Sequence, residues 1–460
     1  MKKINSVLLS VLYFILTALI LCIPAFYNQY VMLYSDSLLY LEQSIRLIPT
    51  VDRPIGYAYF IRATTWQSTM WMVIFFQGLI ASLLIYHTLK TVLINTVFKK
   101  VYHFFAICLL TFFTTVGWYV SLLMPDIFTS FLILAVFNTL FGRNNLIKYI
   151  FYSTVIIFAI LSHSSNIPIL ALILIVTWLI LLLSKRFAEI RKKALAGSII
   201  IFAVFVCTLV YLVKYNYDHF HKAQLSTTTG IFFFARLIDT GIIESYTKEN
   251  CDQKELRICM YKDSIPKSSQ DFLWNVNGIF YKMGGWSNYQ EESKLIVKDI
   301  LFTPKYYGTI LSDFSLSTFK QLTKFQLGGD LLNSQTEQWL PVYESAKKYF
   351  PRNEIKREYY DSRQFKEKMG FEFFNSVLYF VVFCSLMIIA FVLYRYKIEN
   401  KMFLLLAIVF SGVFFNAAVC ANLSNIINRY QARVIWLIPF MAFIIFLNYI
   451  FPKIFALLKK

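Results

Sequence analysis

Asp36 and Asp126 are the two acidic residues whose positions suit chemistry at a membrane surface. Asp36 follows the first long apolar run, and Asp126 lies at the turn between the third and fourth runs. A carboxylate can take a proton from a hydroxyl group, and two carboxylates can share a divalent ion such as Mg²⁺ or Mn²⁺. The alternative for each is a helix N-cap, which accepts backbone N–H bonds. Asp36 and Asp126 are therefore the candidate catalytic residues, and the ligands of a metal if one is present.

Polar residues at two further turns on the same side could bind an anionic substrate. His163 and Asn166 lie at the turn between the fifth and sixth apolar runs, and Arg429 and Arg433 precede the last run. The two arginines are four residues apart and so share one face of a helix. A guanidinium matches phosphate oxygens with paired donors, which makes them a candidate phosphate clamp. The alternatives are lipid-headgroup anchoring for the arginines and a structural role for His163.

The elements that hold these residues must be membrane-spanning helices, because the composition excludes an ordinary soluble enzyme. Of 460 residues, 58% are hydrophobic and 18% aromatic, while only 15% are charged, against roughly 25% in a typical globular chain. Residues 215–373 hold 20 of the 26 acidic residues and 21 basic ones, so nearly all of the +19 net charge lies between apolar runs. This pattern indicates membrane topology and contact with membrane lipids, and no nucleic-acid partner.

Apolar runs of about 17 to 25 residues predict ten transmembrane helices. A cytoplasmic N-terminal end puts 18 cations inside and six in or beside the short outer loops, as the positive-inside rule requires. We therefore expect a multi-pass plasma-membrane protein, of a bacterial inner membrane, with both termini cytoplasmic. The predicted spans lie near 6–26, 70–92, 103–121, 126–142, 147–162, 167–184, 196–214, 374–394, 402–420 and 434–451.

This orientation divides the chain into three parts. Residues 1–214 form a transmembrane core with an outer loop over 27–69, and residues 374–460 form the C-terminal transmembrane helices. Residues 215–373, between spans seven and eight, read as a mainly helical extracytoplasmic segment. The predicted fold class is thus an all-α polytopic membrane protein, with its active site on the extracytoplasmic face.

Cys251 and Cys259 lie eight residues apart in the extracytoplasmic segment, whereas the other five cysteines fall in or beside apolar spans. A thiol in an apolar span behaves as a small hydrophobe. An oxidising compartment would let Cys251 and Cys259 form a disulfide. The alternative is a metal-binding pair, but neither a CxxC motif nor a nearby histidine cluster supports zinc.

These residues together resemble the GT-C superfamily of polytopic glycosyltransferases, which includes protein O-mannosyltransferases and the lipid A aminoarabinose transferases. The resemblance rests on Asp36 in a Ser-Asp-Ser-x-x-Tyr-Leu setting, the Arg-Pro-x-Gly-Tyr stretch at 53–57, Asp126 and a late Arg-Tyr pair. It is strongest over residues 1–170. By resemblance, Asp36 matches the catalytic or metal-ligating acid of the first outer loop and Asp126 the acid of the second. Ser37 stands where several of these families carry a second acid, so metal dependence stays open.

The resemblance implies transfer of a sugar from a polyprenyl-phosphate donor to a glycan, lipid or protein acceptor, with inversion at the anomeric carbon. Asp36 would be the general base or would hold it. The leaving phosphate needs charge stabilisation, which Arg429, Arg433 and Arg53 could supply with or without a divalent ion. Tyr57, in the stretch that begins at Arg53, joins the candidate substrate-binding residues.

Two other functions fit the same residues. A polymerase or ligase of lipid-linked oligosaccharides would use the arginine pair equally well. A transporter or flippase of an anionic lipid-linked substrate would also gather charges near helix ends, although the sequence has no inverted repeat and no matched pair of Gly- or Pro-broken spans.

Overall fold

Helices make up the regular structure in this computed structural model, and the all-α fold class is confirmed for the residues that it describes. Those residues contain no named strand and one isolated β-bridge. The described residues are 2–51, 53–65, 68–94, 97–329, 331 and 358–458. The helices of the first part are α1 (Lys2–Leu21), α2 (Ile23–Asn28), α3 (Ser37–Arg46), α4 (Gly56–Thr65), α5 (Trp71–Val92), α6 (Lys99–Phe113), α7 (Val116–Val120), α8 (Ile127–Phe141), α9 (Leu146–Ser162), α10 (Asn166–Leu183) and α11 (Ala188–Phe220).

The second part of the described chain continues with shorter helices and then returns to long apolar ones. Its helices are α12 (Thr229–Asp239), α13 (Ile242–Asn250), α14 (Ser269–Trp274), α15 (Ile279–Lys282), α16 (Gly285–Asn288), α17 (Gln290–Leu301), α18 (Tyr307–Thr323), α19 (Glu372–Arg395), α20 (Asn400–Leu423), α21 (Asn428–Ile435), α22 (Leu437–Ile445) and α23 (Phe451–Leu458).

Six helical stretches in the described part of the chain are long and apolar enough to cross a membrane, as a multi-pass membrane protein requires. They are α5, α10, Lys185–Phe220, α19, α20 and Asn428–Leu457. Shorter apolar helices cover Val7–Leu21, α8 and α9. Nine of the ten predicted runs thus coincide with apolar helices, six of which are long enough to span by themselves.

The predicted run over 103–121 is not one continuous helix. α6 ends at Phe113 and α7 begins at Val116. Between them, the Thr114 hydroxyl donates to the Leu110 carbonyl at 2.6 Å, and the Thr115 hydroxyl donates to the Ala432 carbonyl at 2.6 Å. Threonine side chains that bond to backbone groups compete with the helical pattern. The break ties this part of the chain to α21.

α8 is the most enclosed helix of the bundle. All of its 15 residues are buried, and α5, α9 and α11 pack around it. A helix that is apolar on every side belongs in a protein interior. Asp126 immediately precedes this helix, so its carboxylate stands at the end of the most buried element.

The two connections that carry Asp36 and Asp126 are hydrogen-bonded to each other. The Met32 N–H donates to the Ser121 carbonyl at 3.0 Å, and the Leu123 N–H donates to the Met32 carbonyl at 2.9 Å. These bonds form a parallel bridge between Met32 and Leu122. Each acid lies four residues beyond its member of the pair, so the bridge sets both acids at one end of the bundle.

The start of α4 approaches the end of α9 too closely for any residue but glycine. A Cβ atom at Gly56 would lie 2.4 Å from the backbone carbonyl carbon of Leu161. Because that atom belongs to backbone, it cannot move aside as a flexible side chain would. The contact fixes the stretch 53–57 beside the turn that carries His163.

Residues 221–306, which we call the cap, have a hydrophobic core of their own. Its fully buried members include Ile231, Phe234, Ile243 and Phe280. α11 continues to Phe220, past the predicted boundary at 214, so the cap is joined to the bundle by a continuous helix. A disulfide joins Cys251, after α13, to Cys259.

Loss of the disulfide is expected to loosen the cap without abolishing the activity of the chain. Replacing Cys251 and Cys259 by serine should lower the free energy of unfolding of the cap by about 2–3 kcal/mol, because the bond closes a short loop. Limited proteolysis with and without reductant measures the effect. Equal protease resistance of the double variant and the wild type would contradict the expectation.

Candidate active site

Asp36 lies at the N-terminal end of α3 but does not cap it. Its side chain makes no N-cap hydrogen bond. Instead, Arg53 Nη2 donates to Asp36 Oδ1 at 2.6 Å, and Arg429 Nη1 donates to Asp36 Oδ2 at 3.3 Å. The N-cap interpretation is therefore wrong for the Asp36 side chain. The carboxylate instead accepts from two guanidinium groups, one of which, that of Arg429, lies 393 residues further along the sequence.

Asp126 stands at the start of α8, and its side chain makes no N-cap bond either. Its Oδ1 atom lies 3.5 Å from Arg433 Nη1 and 3.8 Å from Arg429 Nε. Only 2% of its side-chain surface is exposed. Charge pairing with the C-terminal arginines thus replaces capping at this acid too.

Arg433 is fully buried, and its guanidinium is fixed mainly by a residue that the sequence did not single out. Asn416 Oδ1 accepts hydrogen bonds from Arg433 Nη2 at 2.8 Å and from Nε at 3.1 Å. Arg433 Nη2 also donates to Ser165 Oγ at 3.2 Å. A polar amide inside the predicted span 402–420 was the available signal, since such groups face protein and not lipid. Asn416 orients Arg433 toward Asp126.

Arg429 lies between the two acids and bridges them. Its guanidinium carbon is 4.2 Å from the centroid of the Tyr34 ring, a cation–π distance. The Tyr119 hydroxyl donates to the Arg429 carbonyl at 3.0 Å, which fixes the backbone from which the side chain extends. Arg429 is thus the cation through which Asp36 and Asp126 are linked.

We call Asp36, Arg53, Asp126, Arg429 and Arg433 the charge cluster. It holds three guanidinium groups and two carboxylates, and no side chain in it is more than 14% exposed. Among the residues that the structure describes, guanidinium groups thus outnumber carboxylates in this buried cluster, and a cationic site of this kind favours an anionic ligand. The cluster is suited to bind a phosphate group.

Asp36 is ionised at neutral pH in this arrangement. Burial raises the pKa of its carboxyl, but the opposite charges and hydrogen bonds of Arg53 and Arg429 outweigh burial and hold the pKa below its ordinary value of 3.8. The unliganded carboxylate is therefore a weak base. A negative charge that drew the arginines away would make it a stronger one.

His163 lies beside the charge cluster as a neutral ring. The Ser165 N–H donates to His163 Nδ1 at 3.3 Å, and Ser165 Oγ lies 2.7 Å from the same nitrogen. The pKa of His163 is well below its ordinary value, first because of burial and then because of Arg433, Arg429 and Arg53. With Nδ1 accepting from backbone, the proton of the neutral ring is on Nε2.

Tyr57 and Asn166 have structural partners. The Tyr57 hydroxyl donates to Gln77 Oε1 at 2.8 Å, and the Tyr57 side chain is fully buried. Asn166 Oδ1 accepts from the Thr129 hydroxyl at 3.0 Å, while Nδ2 donates to the Ala159 carbonyl at 2.8 Å. Both were predicted to bind substrate. In the structure these bonds hold α4, α5, α8, α9 and α10 together, and substrate binding by Tyr57 and Asn166 stays a prediction.

The charge cluster does not suit a divalent metal ion. Both carboxylates already face guanidinium groups, and three positive charges oppose a further dication. Among the residues that the structure describes, no group of three His, Cys, Asp or Glu side chains could hold a metal. Asp36 and Asp126, whose binding of Mg²⁺ or Mn²⁺ the sequence left open, are therefore poorly suited to hold either ion.

A narrow cleft of about 40 Å³ leads to Arg429. The residues that line it include Tyr34, Trp118 and the turn 326–329. Asn375 holds that turn, because it accepts from the Leu327 N–H at 2.8 Å and donates to its carbonyl at 3.0 Å. The cleft has room for water, so a larger ligand requires its walls to separate.

No family model, curated protein or solved structure matches this chain. The resemblance to the GT-C superfamily therefore rests on the sequence motifs alone.

Proposed function

We propose that the chain is a membrane glycosyltransferase that moves a sugar from a polyprenyl-phosphate donor to an acceptor hydroxyl. The observation that supports this best is the charge cluster, in which residues from opposite ends of the sequence converge with one excess positive charge. Such a site can bind a phosphate and also holds a carboxylate near it. Phosphate binding and proton removal are the two requirements of this reaction.

The donor phosphate would bind at Arg429. This side chain already bridges two carboxylates at 3.3 and 3.8 Å, distances at which a phosphate oxygen can compete for its donors. Binding would weaken the contacts between Arg429 and Asp36. The added negative charge would also raise the pKa of Asp36, since a neighbouring anion disfavours a second one. The donor would thereby turn Asp36 into a stronger base.

The chemical step is a displacement at the anomeric carbon. The oxygen of the acceptor hydroxyl forms a bond to that carbon while the bond from carbon to the phosphate oxygen breaks. The electron pair of the broken bond stays on the phosphate, and the hydroxyl proton passes to the Asp36 carboxylate. The products are a glycoside of inverted configuration and a polyprenyl monophosphate.

During the proposed transfer, the net charge of the cluster and the charge of the phosphate change by equal and opposite amounts. The donor phosphate carries one negative charge before transfer, which equals the excess positive charge of the cluster. When Asp36 takes the proton, the cluster gains one positive charge as the leaving phosphate gains one negative charge. Buried, fixed charges of this kind stabilise developing charge better than water does. Neutral His163, with its proton on Nε2, supplies a further donor beside the cluster.

The membrane arrangement that we propose has ten spans, both termini in the cytoplasm and the charge cluster on the extracytoplasmic face of a bacterial inner membrane. Residues 1–214 and 374–460 form the membrane part, and 215–373 the extracytoplasmic segment. The asymmetry of cations between short connections supports this orientation. α6 with α7, and the shorter helices α8 and α9, would complete the ten crossings.

Cysteine labelling of intact cells tests the orientation. A membrane-impermeant thiol reagent should label Phe302→Cys, on the exposed surface after α17, and should not label Lys192→Cys, near the start of α11. Permeabilised cells should label both, which controls for reactivity. Labelling of Lys192→Cys alone in intact cells would reverse the orientation and with it the face on which the reaction occurs.

Mass spectrometry of envelope glycans and lipids from a deletion strain tests the function. A glycosyltransferase predicts that an acceptor loses one sugar and that the sugar-loaded polyprenyl phosphate accumulates. A polymerase or ligase predicts shortened or unattached glycan chains instead. A flippase predicts that the donor remains intact on the inner leaflet, and glycans and lipids unchanged by the deletion would refute the proposal.

A further inference from the structure

An exposed aromatic platform lies on the cap. Trp274 ends α14 with 43% of its surface exposed, although it is a large apolar side chain. Its ring centroid is 5.6 Å from that of Trp286, which in turn packs on Phe280 at 5.1 Å and on Phe232 at 5.4 Å. Phe280 belongs to the core of the cap. The indole of Trp274 is therefore presented from a rigid base.

The platform is adjacent to the charge cluster. The Arg53 guanidinium carbon lies 5.9 Å from the centroid of the Trp274 ring, and the same guanidinium bonds Asp36 at 2.6 Å. The cap is fixed there by a hydrogen bond from the Thr227 hydroxyl to the Val51 carbonyl, and Gln290 in turn holds Thr227 by donating to its carbonyl. One guanidinium group separates the exposed indole from the candidate base.

We infer that this platform binds a saccharide acceptor, an assignment that rests on the proposed function. A sugar ring has faces of C–H groups that pack on an indole, while its hydroxyls remain free for hydrogen bonds. The turn after Trp274, which the Asn275 side chain holds by bonds to Asp271 and to the Asn277 N–H, carries the exposed amide side chain of Asn277, which suits those hydroxyls. A sugar stacked on Trp274 would direct a neighbouring hydroxyl toward Asp36. The acceptor is thus a glycan, from among the glycan, lipid and protein acceptors left open by the sequence.

The alternative occupant is the membrane surface, since exposed tryptophans also lie in lipid headgroup regions. The contact of Trp274 with Arg53 favours the saccharide, because it directs the platform to the charge cluster. The turn 275–278 also has no lysine or arginine. A surface that binds anionic lipids would be expected to carry such cations.

Saccharide binding to purified protein in nanodiscs tests the inference and avoids detergents that contain sugars. The probes are cellotetraose, chitotetraose and mannotetraose, titrated by calorimetry. We expect at least one to bind the wild type and its affinity to fall by at least about tenfold in Trp274→Ala. Phe302→Ala, a substitution of an exposed aromatic residue of the cap outside the platform, should leave the affinity unchanged. Equal affinity in both variants, or no binding of any probe to the wild type, would overturn the inference.

Two further measurements separate the possible failures. Brominated lipids should quench wild-type and Trp274→Phe fluorescence equally, and stronger quenching of the wild type would place Trp274 in the bilayer and overturn the inference. Binding of the probes does not need donor turnover, so it can succeed even if the proposed reaction is absent. Conversely, sugar transfer with an unchanged acceptor KM in Trp274→Ala would leave the proposed function intact and reject the platform.

Discussion

Asp36→Asn should lower sugar transfer by about 10²-fold or more, the usual contribution of a positioned general base. The amide cannot take the proton of the acceptor hydroxyl. It keeps the size of the side chain, and its oxygen can still accept from Arg53, which now lies 2.6 Å from Asp36 Oδ1. The variant is therefore expected to fold and to remain in the membrane. Transfer from a polyprenyl-phosphate donor, measured at matched expression, gives the ratio.

Two substitutions, at Asp36 itself and within α3, serve as comparisons for Asp36→Asn. Asp36→Glu keeps the charge but displaces it by one methylene, so transfer should also fall, because positioning is part of catalysis. Glu42→Gln removes the charge of a carboxylate that is 35% exposed and pairs with Arg46 at 3.4 Å, and should leave transfer near the wild-type rate. Near-wild-type transfer in Asp36→Asn would remove Asp36 from the mechanism.

Arg433→Met should destabilise the fold by about 3–5 kcal/mol, the usual consequence of removing one partner of a buried ion pair. Arg433 is fully buried, and its removal leaves Asp126, only 2% exposed, with Arg429 at 3.8 Å as its remaining ion pair among the described residues. It also deprives Asn416 Oδ1 of two donors. Thermal unfolding in detergent should show the loss.

A double variant distinguishes charge burial from lost packing. Arg433→Met with Asp126→Asn removes both charges, and it should unfold at a higher temperature than Arg433→Met alone. Arg46→Met removes an arginine that is 42% exposed and should change stability by less than about 1 kcal/mol. If Arg433→Met were as stable as the wild type, the charge cluster would not be part of the folded core.

The residue types of the site could be predicted from the sequence because a membrane selects against charge. Ionisable side chains at the ends of apolar runs are costly and often mark a functional site. Four side chains at such positions here are Asp36, Asp126, Arg429 and Arg433. Their pairings could not be predicted. The partners are separated by up to 393 residues, and no local pattern specifies which turns will meet.

Local rules failed where a stronger tertiary partner was present. Both acids occupy N-cap positions, yet neither side chain caps its helix, because a guanidinium offers a charged donor in place of a neutral backbone one. Local rules also do not reveal the contacts of Tyr57 and Asn166. Their polar groups form hydrogen bonds with the buried side chains of Gln77 and Thr129. A single sequence contains no pattern that predicts these pairings.

The helices that length and hydropathy alone define were predicted well. The helix break that accompanies a tertiary hydrogen bond was not predicted. The long spans α10, α19 and α20 follow from apolar length alone. The break between α6 and α7 depends on the Thr115 hydroxyl finding the Ala432 carbonyl. Because threonine is common within membrane spans, its presence in the sequence does not predict a helix break.

The distance in sequence between the acids and their arginines has a consequence for biosynthesis. Asp126 precedes Arg433 by 307 residues, which a ribosome making about 5–20 residues per second translates in about 15–60 s. During that interval the carboxylates are in place and their C-terminal partners do not yet exist. The nascent chain must keep them hydrated or protonated, and the last helices to be inserted complete the neutralisation. A polypeptide that stops before α21 would therefore carry exposed acids that membrane quality control can recognise.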